Sequence, residues 1–104
     1  MMIYKVVYTE KAISDLDDIF RYIAYVLLEP EIAKRQVSEL MDGIDSLETM
    51  PKRHPLSNEK RLREKKVRVL PVNHYNVYYG FEDKSQTVNI FRIIYRSRNS
   101  FSLS

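Results

Sequence analysis

The chain contains no cysteine among its 104 residues, which excludes disulfide bonds and catalysis by a thiolate. No apolar run approaches the roughly 18 residues that span a bilayer, and the N-terminus, MMIYKVVYTE, lacks the form of a signal peptide. With 44% apolar and 30% charged residues, the composition is that of a globular rather than a disordered protein. We therefore expect a soluble, cytoplasmic protein without membrane contact, folded as a single domain over residues 1–104.

Charge is distributed unevenly along the chain. Residues 1–51 carry five Lys and Arg against ten Asp and Glu, a net charge of −5, whereas residues 52–104 carry twelve against four, a net charge of +8. A concentrated positive field attracts anionic partners. The asymmetry favours a basic functional half that binds such a partner. The alternative is that the two oppositely charged halves pack against each other.

Apolar spacing predicts two amphipathic helices after a first strand, IYKVVY, which ends at the potential helix cap Thr9. Apolar residues recur at three- and four-residue steps on both sides of Pro30, which cannot continue the first helix but suits the first turn of the second. The short link predicts an antiparallel hairpin. The positions expected to be buried are Leu16, Ile19 and Ile23 on the first helix, and Val37, Leu40 and Ile44 on the second.

The second half of the chain predicts three strands: VRVL, YNVYYGF and TVNIFRIIY, the last two joined by the polar turn EDKSQ. The predicted order is β-α-α-β-β-β. We expect an α+β fold in which the helical hairpin packs on one face of an antiparallel sheet. The other face would stay partly open. Near the start of the first helix, Asp15, Asp17 and Asp18 are expected to be solvated charges that the helix dipole favours.

Four segments in this order resemble the RelE/ParE superfamily, the toxins of bacterial type II toxin–antitoxin modules. They are AISDLDDIFRYIA, EPEIAKRQVSELMDGIDSLETMP, VRVLPVNHYNVYYGF and VNIFRIIYRSR, and they cover nearly the whole chain. The resemblance implies a small toxin that arrests growth when it is free of a cognate antitoxin. It also implies that contact with DNA is made mainly through the antitoxin. The long helical hairpin is nearer to the ParE side of the superfamily.

Members of the superfamily differ in their targets, and the resemblance leaves three readings open. ParE-like toxins poison DNA gyrase by binding, and this reading is slightly favoured. RelE-like toxins are endoribonucleases that cleave messenger RNA on the ribosome and need neither a metal nor a cofactor. The third reading is a non-toxic remnant that only binds its antitoxin.

The candidate site residues lie at the ends of the predicted strands. The last strand, IFRIIYRSRN, finishes in a cationic cluster instead of further core residues. The expected target- or antitoxin-binding residues are Lys66, Arg68, Tyr95, Arg96 and Arg98. Of these, Arg68, Tyr95, Arg96 and Arg98 would be catalytic if the protein is a ribonuclease, since clustered cations can stabilise charge on phosphorus. The ends of these strands are expected to lie close together, so that the five residues form one surface.

The sequence also departs from the ribonuclease pattern at two places. Asn76 stands where RelE-like nucleases have an arginine, and an asparagine offers no fixed positive charge. The chain ends in SFSLS, which supplies no clear equivalent of their C-terminal catalytic tyrosine. His54 and His74 are alternative candidates for proton transfer, a role to which the imidazole side chain is suited, or are simply exposed histidines.

Overall fold

The computed structural model describes residues 3–97. Its elements are β1 (Lys5–Tyr8), α1 (Glu10–Arg21), a π-helical turn (Tyr22–Val26), α2 (Pro30–Asp45), α3 (Lys60–Glu64), β2 (Arg68–Val72), β3 (Tyr75–Glu82) and β4 (Thr87–Tyr95). Single 3₁₀ turns at Ser46–Glu48 and Pro51–Arg53 link α2 to the rest of the chain. The predicted α+β class, the helical hairpin and the three C-terminal strands are confirmed. The short helix α3 was not predicted, because five residues are too few to show helical periodicity.

The four strands form one sheet in the order β1-β4-β3-β2. The pairs β2–β3 and β3–β4 are antiparallel, as predicted. The expectation of a wholly antiparallel sheet is wrong for β1, which runs parallel to β4 and pairs with residues 87–90. A parallel pair needs a long crossover connection, and here both long helices lie within that connection.

The core lies between the helical hairpin and one face of the sheet. Of the predicted positions, Ile23, Leu40 and Ile44 are buried, whereas Leu16, Ile19 and Val37 are only partly buried. From the sheet, the core receives Leu70, Val77, Tyr79, Val88, Ile90 and Ile93. The two helices meet through small side chains, since Ala24 and Ala33 are buried in a second cluster with Ile23. None of the helices in residues 3–97 combines the length and hydropathy that crossing a membrane requires.

A glycine allows α2 to lie close to the sheet. A Cβ atom added at Gly43 would come within 2.9 Å of the Val72 Cγ2 atom on β2. That separation is shorter than carbon atoms tolerate, so any other residue at this position would require the Val72 side chain or the helix itself to shift.

Thr9 joins β1 to α1 and ties both to β4. Its backbone N–H donates to the carbonyl of Ile90 at 3.1 Å, and its hydroxyl donates to the same carbonyl at 2.9 Å. The hydroxyl oxygen also accepts the N–H of Ala12, which makes Thr9 the N-cap of α1. The predicted cap is thus confirmed, and the same side chain fixes the point where the helix leaves the sheet.

Asp15 provides a second attachment of α1 to β4, six residues after Thr9. Its carboxylate accepts two hydrogen bonds from the Arg92 guanidinium, at 2.8 and 3.0 Å, and a third from the backbone N–H of Ile93 at 2.8 Å. The expectation of a solvated charge is therefore wrong for Asp15. Asp17, by contrast, is exposed and pairs with Arg21 on the same helix.

Replacing Leu40 by alanine should lower the free energy of unfolding by about 2–5 kcal/mol, because this fully buried side chain would leave a cavity. Urea denaturation followed by circular dichroism measures the change. The matched control is Met41→Ala, since the neighbouring Met41 is exposed, and it should change stability by less than about 0.5 kcal/mol. Equal losses in the two variants would contradict the assigned packing of α2.

Candidate functional site

The end of β4 presents an aromatic and cationic surface, which we call the strand-end surface and define as His74, Tyr75, Tyr95 and Arg96. Tyr95 lies directly across from Tyr75, with ring centroids 5.5 Å apart in an edge-to-face arrangement. The His74 ring is 6.3 Å from that of Tyr95. Tyr95 is 45% exposed and Arg96 is exposed. The surface can therefore offer flat aromatic contact area beside a positive charge.

Backbone contacts hold the strand-end surface in place. The N–H of Arg96 donates to the carbonyl of His74 at 2.8 Å, and the Arg96 guanidinium donates to the carbonyl of Asn73. Asn73 has a positive φ of 53° in the tight turn between β2 and β3, and its side-chain amide donates to Glu39 on α2 at 2.8 Å. The turn is thus anchored to both the sheet and the hairpin, so the position of Arg96 is set by the fold.

Arg68 braces the loop that follows α2. Its guanidinium donates to the carbonyl of His54 at 2.7 Å and lies 5.4 Å from the centroid of the Phe81 ring. The hydroxyl of the buried Tyr79 donates to the carbonyl of Pro51 at 2.6 Å. These contacts give Arg68 a structural task that its sequence position did not reveal. Lys66 is exposed, with a positive φ of 60° just before β2.

The structure separates the candidate residues along β3. Arg68 pairs with Tyr79 on β3, whereas Tyr95 pairs with Tyr75 on the same strand. Four residues of strand therefore separate the two pairs, which corresponds to roughly 13 Å at about 3.3 Å per residue. Lys66 precedes β2 and Arg68 begins it, opposite the middle part of β3, whereas Tyr95 and Arg96 lie at the end of β4. Arg98 lies outside the described residues.

The imidazole of His54, in the loop after α2, is a possible proton-transfer group. The imidazole Nε2 accepts a long hydrogen bond, 3.4 Å, from the Arg53 guanidinium, which also donates to the Ser46 hydroxyl at 2.9 Å. Burial, and secondly the charge of Arg53, lower the pKa of His54 from its ordinary 6.5. The imidazole is therefore neutral at pH 7 and can accept a proton.

A strip of cations surrounds α3, and we call it the α3 surface: Lys60, Arg61, Arg63, Lys65 and Lys66. All five side chains are exposed, while Leu62 between them is buried and anchors the helix. The ion pairs formed within residues 3–97 involve none of the five. Uncompensated like charges repel one another, so an anionic partner would be favoured here. This surface accounts for much of the positive charge seen in the sequence.

Metal-binding chemistry has no candidate site in the described part of the chain. No three His, Cys, Asp or Glu side chains come together within residues 3–97 in a way that could hold an ion. Asn76, at the position where the ribonuclease pattern has arginine, is half-buried opposite Ile94.

This architecture is found in solved structures from toxin–antitoxin systems. The chain is similar to one from the chromosomal ParDE toxin–antitoxin system of P. aeruginosa, with a TM-score of 0.73 and 22% identity, covering 89% of this chain and 96% of that one. It is also similar to a chain of the RelBE2 toxin–antitoxin complex of Mycobacterium tuberculosis, with a TM-score of 0.62 and 24% identity, covering 91% and 100%. The chain therefore shares its fold with these two proteins.

The family follows from the sequence match. The model of the ParE toxin of type II toxin–antitoxin systems (parDE) matches residues 6–100, and the chain belongs to this family. No curated protein sequence matches it. The resemblance drawn from the four sequence segments is confirmed.

The lowered pKa of His54 gives a prediction that nuclear magnetic resonance can check. The imidazole should titrate below pH 6.5, with the His74→Gln variant used to assign the two histidine signals. Because the unfolded chain binds this proton more readily than the folded one, stability should fall as the pH is lowered from 6.5 to the folded pKa of His54, and the loss should be complete below that pKa. A His54→Gln variant should lose less stability over that window. A pKa at or above 6.5 would contradict the described burial.

Proposed function

We propose that the protein is a growth-arresting toxin that acts by binding DNA gyrase, as ParE-like toxins do, and not by cleaving RNA. Family membership supports the toxin assignment. The observation that carries the choice of mechanism is the separation of Arg68 from Tyr95 and Arg96 along β3. Phosphoryl transfer requires proton-transfer groups and charge-stabilising cations within hydrogen-bond reach of one phosphate. Across roughly 13 Å of strand these residues could meet only through their side chains, and the guanidinium groups of Arg68 and Arg96 are instead directed to the carbonyls of His54 and Asn73.

The contacts of Arg68 add to this argument. Its guanidinium already binds the loop carbonyls of His54 and Lys52, so moving it onto a phosphate would release the loop. Inhibition by binding does not require several groups to meet at one phosphate, since a rigid surface of aromatic and arginine side chains is sufficient. Tyrosine and arginine are enriched among the residues that dominate protein interfaces. The strand-end surface has this composition and is the proposed contact with the target.

Ribonuclease activity is the second candidate, and the loop at His54 favours it. A neutral imidazole beside Lys52 and Arg53 could accept a proton near bound RNA. In this reading the site would be the loop, and the strand end would contribute little. The third reading, a remnant that only binds an antitoxin, would retain neither activity.

The decisive experiment compares DNA and RNA damage after the chain is induced alone. We expect DNA breaks and an SOS response without new transcript ends, and inhibition of purified gyrase in a supercoiling assay. Arg96→Ala should weaken gyrase inhibition about tenfold or more, as expected for an arginine at the centre of an interface. Lys84→Ala, which removes an exposed cation from the β3–β4 turn, is the matched control and should behave as wild type.

Other results would overturn the proposal. New transcript ends that disappear in His54→Gln but persist in Arg96→Ala would favour the ribonuclease reading. Neither kind of damage, together with normal growth, would favour the remnant. Full gyrase inhibition by an Arg96→Ala, Arg98→Ala variant would place the target contact elsewhere on the chain.

We further propose that the partner is a cognate antitoxin, and that an acidic segment of it binds the α3 surface. Both proteins would be cytoplasmic. The similar solved structures come from toxin–antitoxin systems, and five unpaired cations in one strip complement acidic side chains. Contact with DNA would be made mainly through the antitoxin.

The rate at which the cognate antitoxin associates with the protein should therefore depend on the salt concentration. Raising the salt concentration from 0.1 to 0.5 M should slow association by about tenfold, because screening removes the long-range attraction. An Arg61→Ala, Arg63→Ala, Lys65→Ala variant should associate slowly at low salt and respond little to added salt. The control is Lys5→Ala, Lys84→Ala, which removes exposed cations elsewhere. Identical salt dependence of the triple variant and wild type would contradict this placement.

A further inference from the structure

The end of the helical hairpin carries a group of exposed apolar side chains that neither proposed function uses. We call it the tip surface. Its members are Tyr22, Tyr25, Val26, Leu27, Leu28 and Ile32, whose exposed fractions range from 41% to 77%. Between Arg21 and Glu29 the sequence contains no charged residue. Single exposed apolar residues are ordinary, but contiguous groups of this size mark interaction sites.

The backbone turns these side chains outward. Residues Tyr22–Val26 form a π-helical turn, in which the N–H of Leu27 donates to the carbonyl of Tyr22 at 3.0 Å. The wider turn shifts the helical phase, so Leu27, four residues after the buried Ile23, is turned away from the core and is 50% exposed. Ile23 and Ala24 remain buried, whereas Tyr25 and Val26 face solvent. Single π-helical turns occur frequently at functional sites.

Leu28 is poorly suited to its backbone position in the isolated chain. Its φ of 57° is in the left-handed region, where glycine is favoured and a leucine is strained. The N–H of Glu29 donates to the carbonyl of Ile23 at 3.0 Å and closes the end of the helix around this residue. The Leu28 side chain is 77% exposed and gains little from burial. Leu28 is therefore strained at the most exposed point of the hairpin. If another surface covers its side chain, the burial would offset the cost of the strained backbone.

We propose that the tip surface is the contact between two copies of this chain, related by a two-fold axis that passes near Leu28 and Val26. With about 150–250 Å² for each side chain, the exposed fractions correspond to roughly 500–900 Å² of surface. This equals or exceeds the largest patch of a typical monomer, about 300–600 Å². It approaches the roughly 800 Å² that each partner buries in a standard interface.

The charges around the tip surface fit a second copy better than an acidic or basic partner. Each helix contributes one pair of opposite charges next to the tip: Asp17 with Arg21 at 2.9 Å on α1, and Glu31 with Lys34 at 3.6 Å on α2. A two-fold axis can bring the acidic side chains of one copy near the basic side chains of the other. The tip surface itself contains no cation that would hold the acidic segment proposed for the α3 surface.

Sedimentation velocity of the full-length chain over 5–500 µM tests the proposal, with a monomer–dimer equilibrium expected. Leu28→Gly is the sharpest variant, because glycine suits the left-handed backbone and should raise the melting temperature while it removes contact area. It should weaken dimerisation about tenfold or more. The control is Ile13→Ser, which removes another exposed apolar side chain of α1 and should dimerise as wild type.

A crosslink provides an independent readout, since the chain has no native cysteine. Val26→Cys should form disulfide-linked dimers under mild oxidation, and Lys84→Cys should not. A chain that stays monomeric at 500 µM would overturn the proposal, as would dimers that are unaffected by Leu28→Gly. Loss of antitoxin binding in Leu28→Gly, without any dimer of the wild type, would instead assign the tip surface to the antitoxin.

Discussion

The attachment of α1 to β4 through Thr9 and Asp15 determines how the two halves of the molecule fit together. The Thr9 hydroxyl caps the helix and also donates to β4 carbonyls. Asp15 accepts the Ile93 N–H, which lies beyond the stretch of β4 that β1 covers, and pairs with Arg92. Because both Asp15 and Arg92 are largely shielded from water, their attraction is stronger than that of a surface pair, and losing either would leave an unpaired charge.

This attachment has consequences at both ends of the molecule. It holds the hairpin over one face of the sheet, where Leu40 and Ile44 of α2 meet the core strands. It also fixes the path of β4 as far as Tyr95. The position of the strand-end surface therefore depends on the salt bridge between Asp15 and Arg92, three residues earlier in the strand. Tyr22 lies close to this surface: burial, followed by Tyr95 and Tyr22, raises the pKa of Tyr75. The strand-end surface therefore lies near the start of the π-helical turn.

The positive half of the chain is divided by the fold into groups with different environments. The five cations of the α3 surface are exposed and have no acidic partners among residues 3–97. Lys52 pairs with Asp83 and Arg68 binds loop carbonyls, so both have structural tasks. Arg96 stands apart at the strand end. A small protein that binds more than one macromolecule benefits from such a division, because each surface can be occupied separately.

The sequence by itself determined the elements that depend on local spacing. Apolar periodicity located both long helices, Pro30 marked the start of α2, and β-branched and aromatic runs located the strands. These features could be predicted because each is decided within a few neighbouring residues. The ordered set of segments also sufficed to identify the toxin superfamily. Only tertiary structure decided the parallel pairing of β1, the partner of Asp15 and the separation of Arg68 from Arg96. Each depends on strand register or on residues tens of positions apart, and no local pattern encodes such distances.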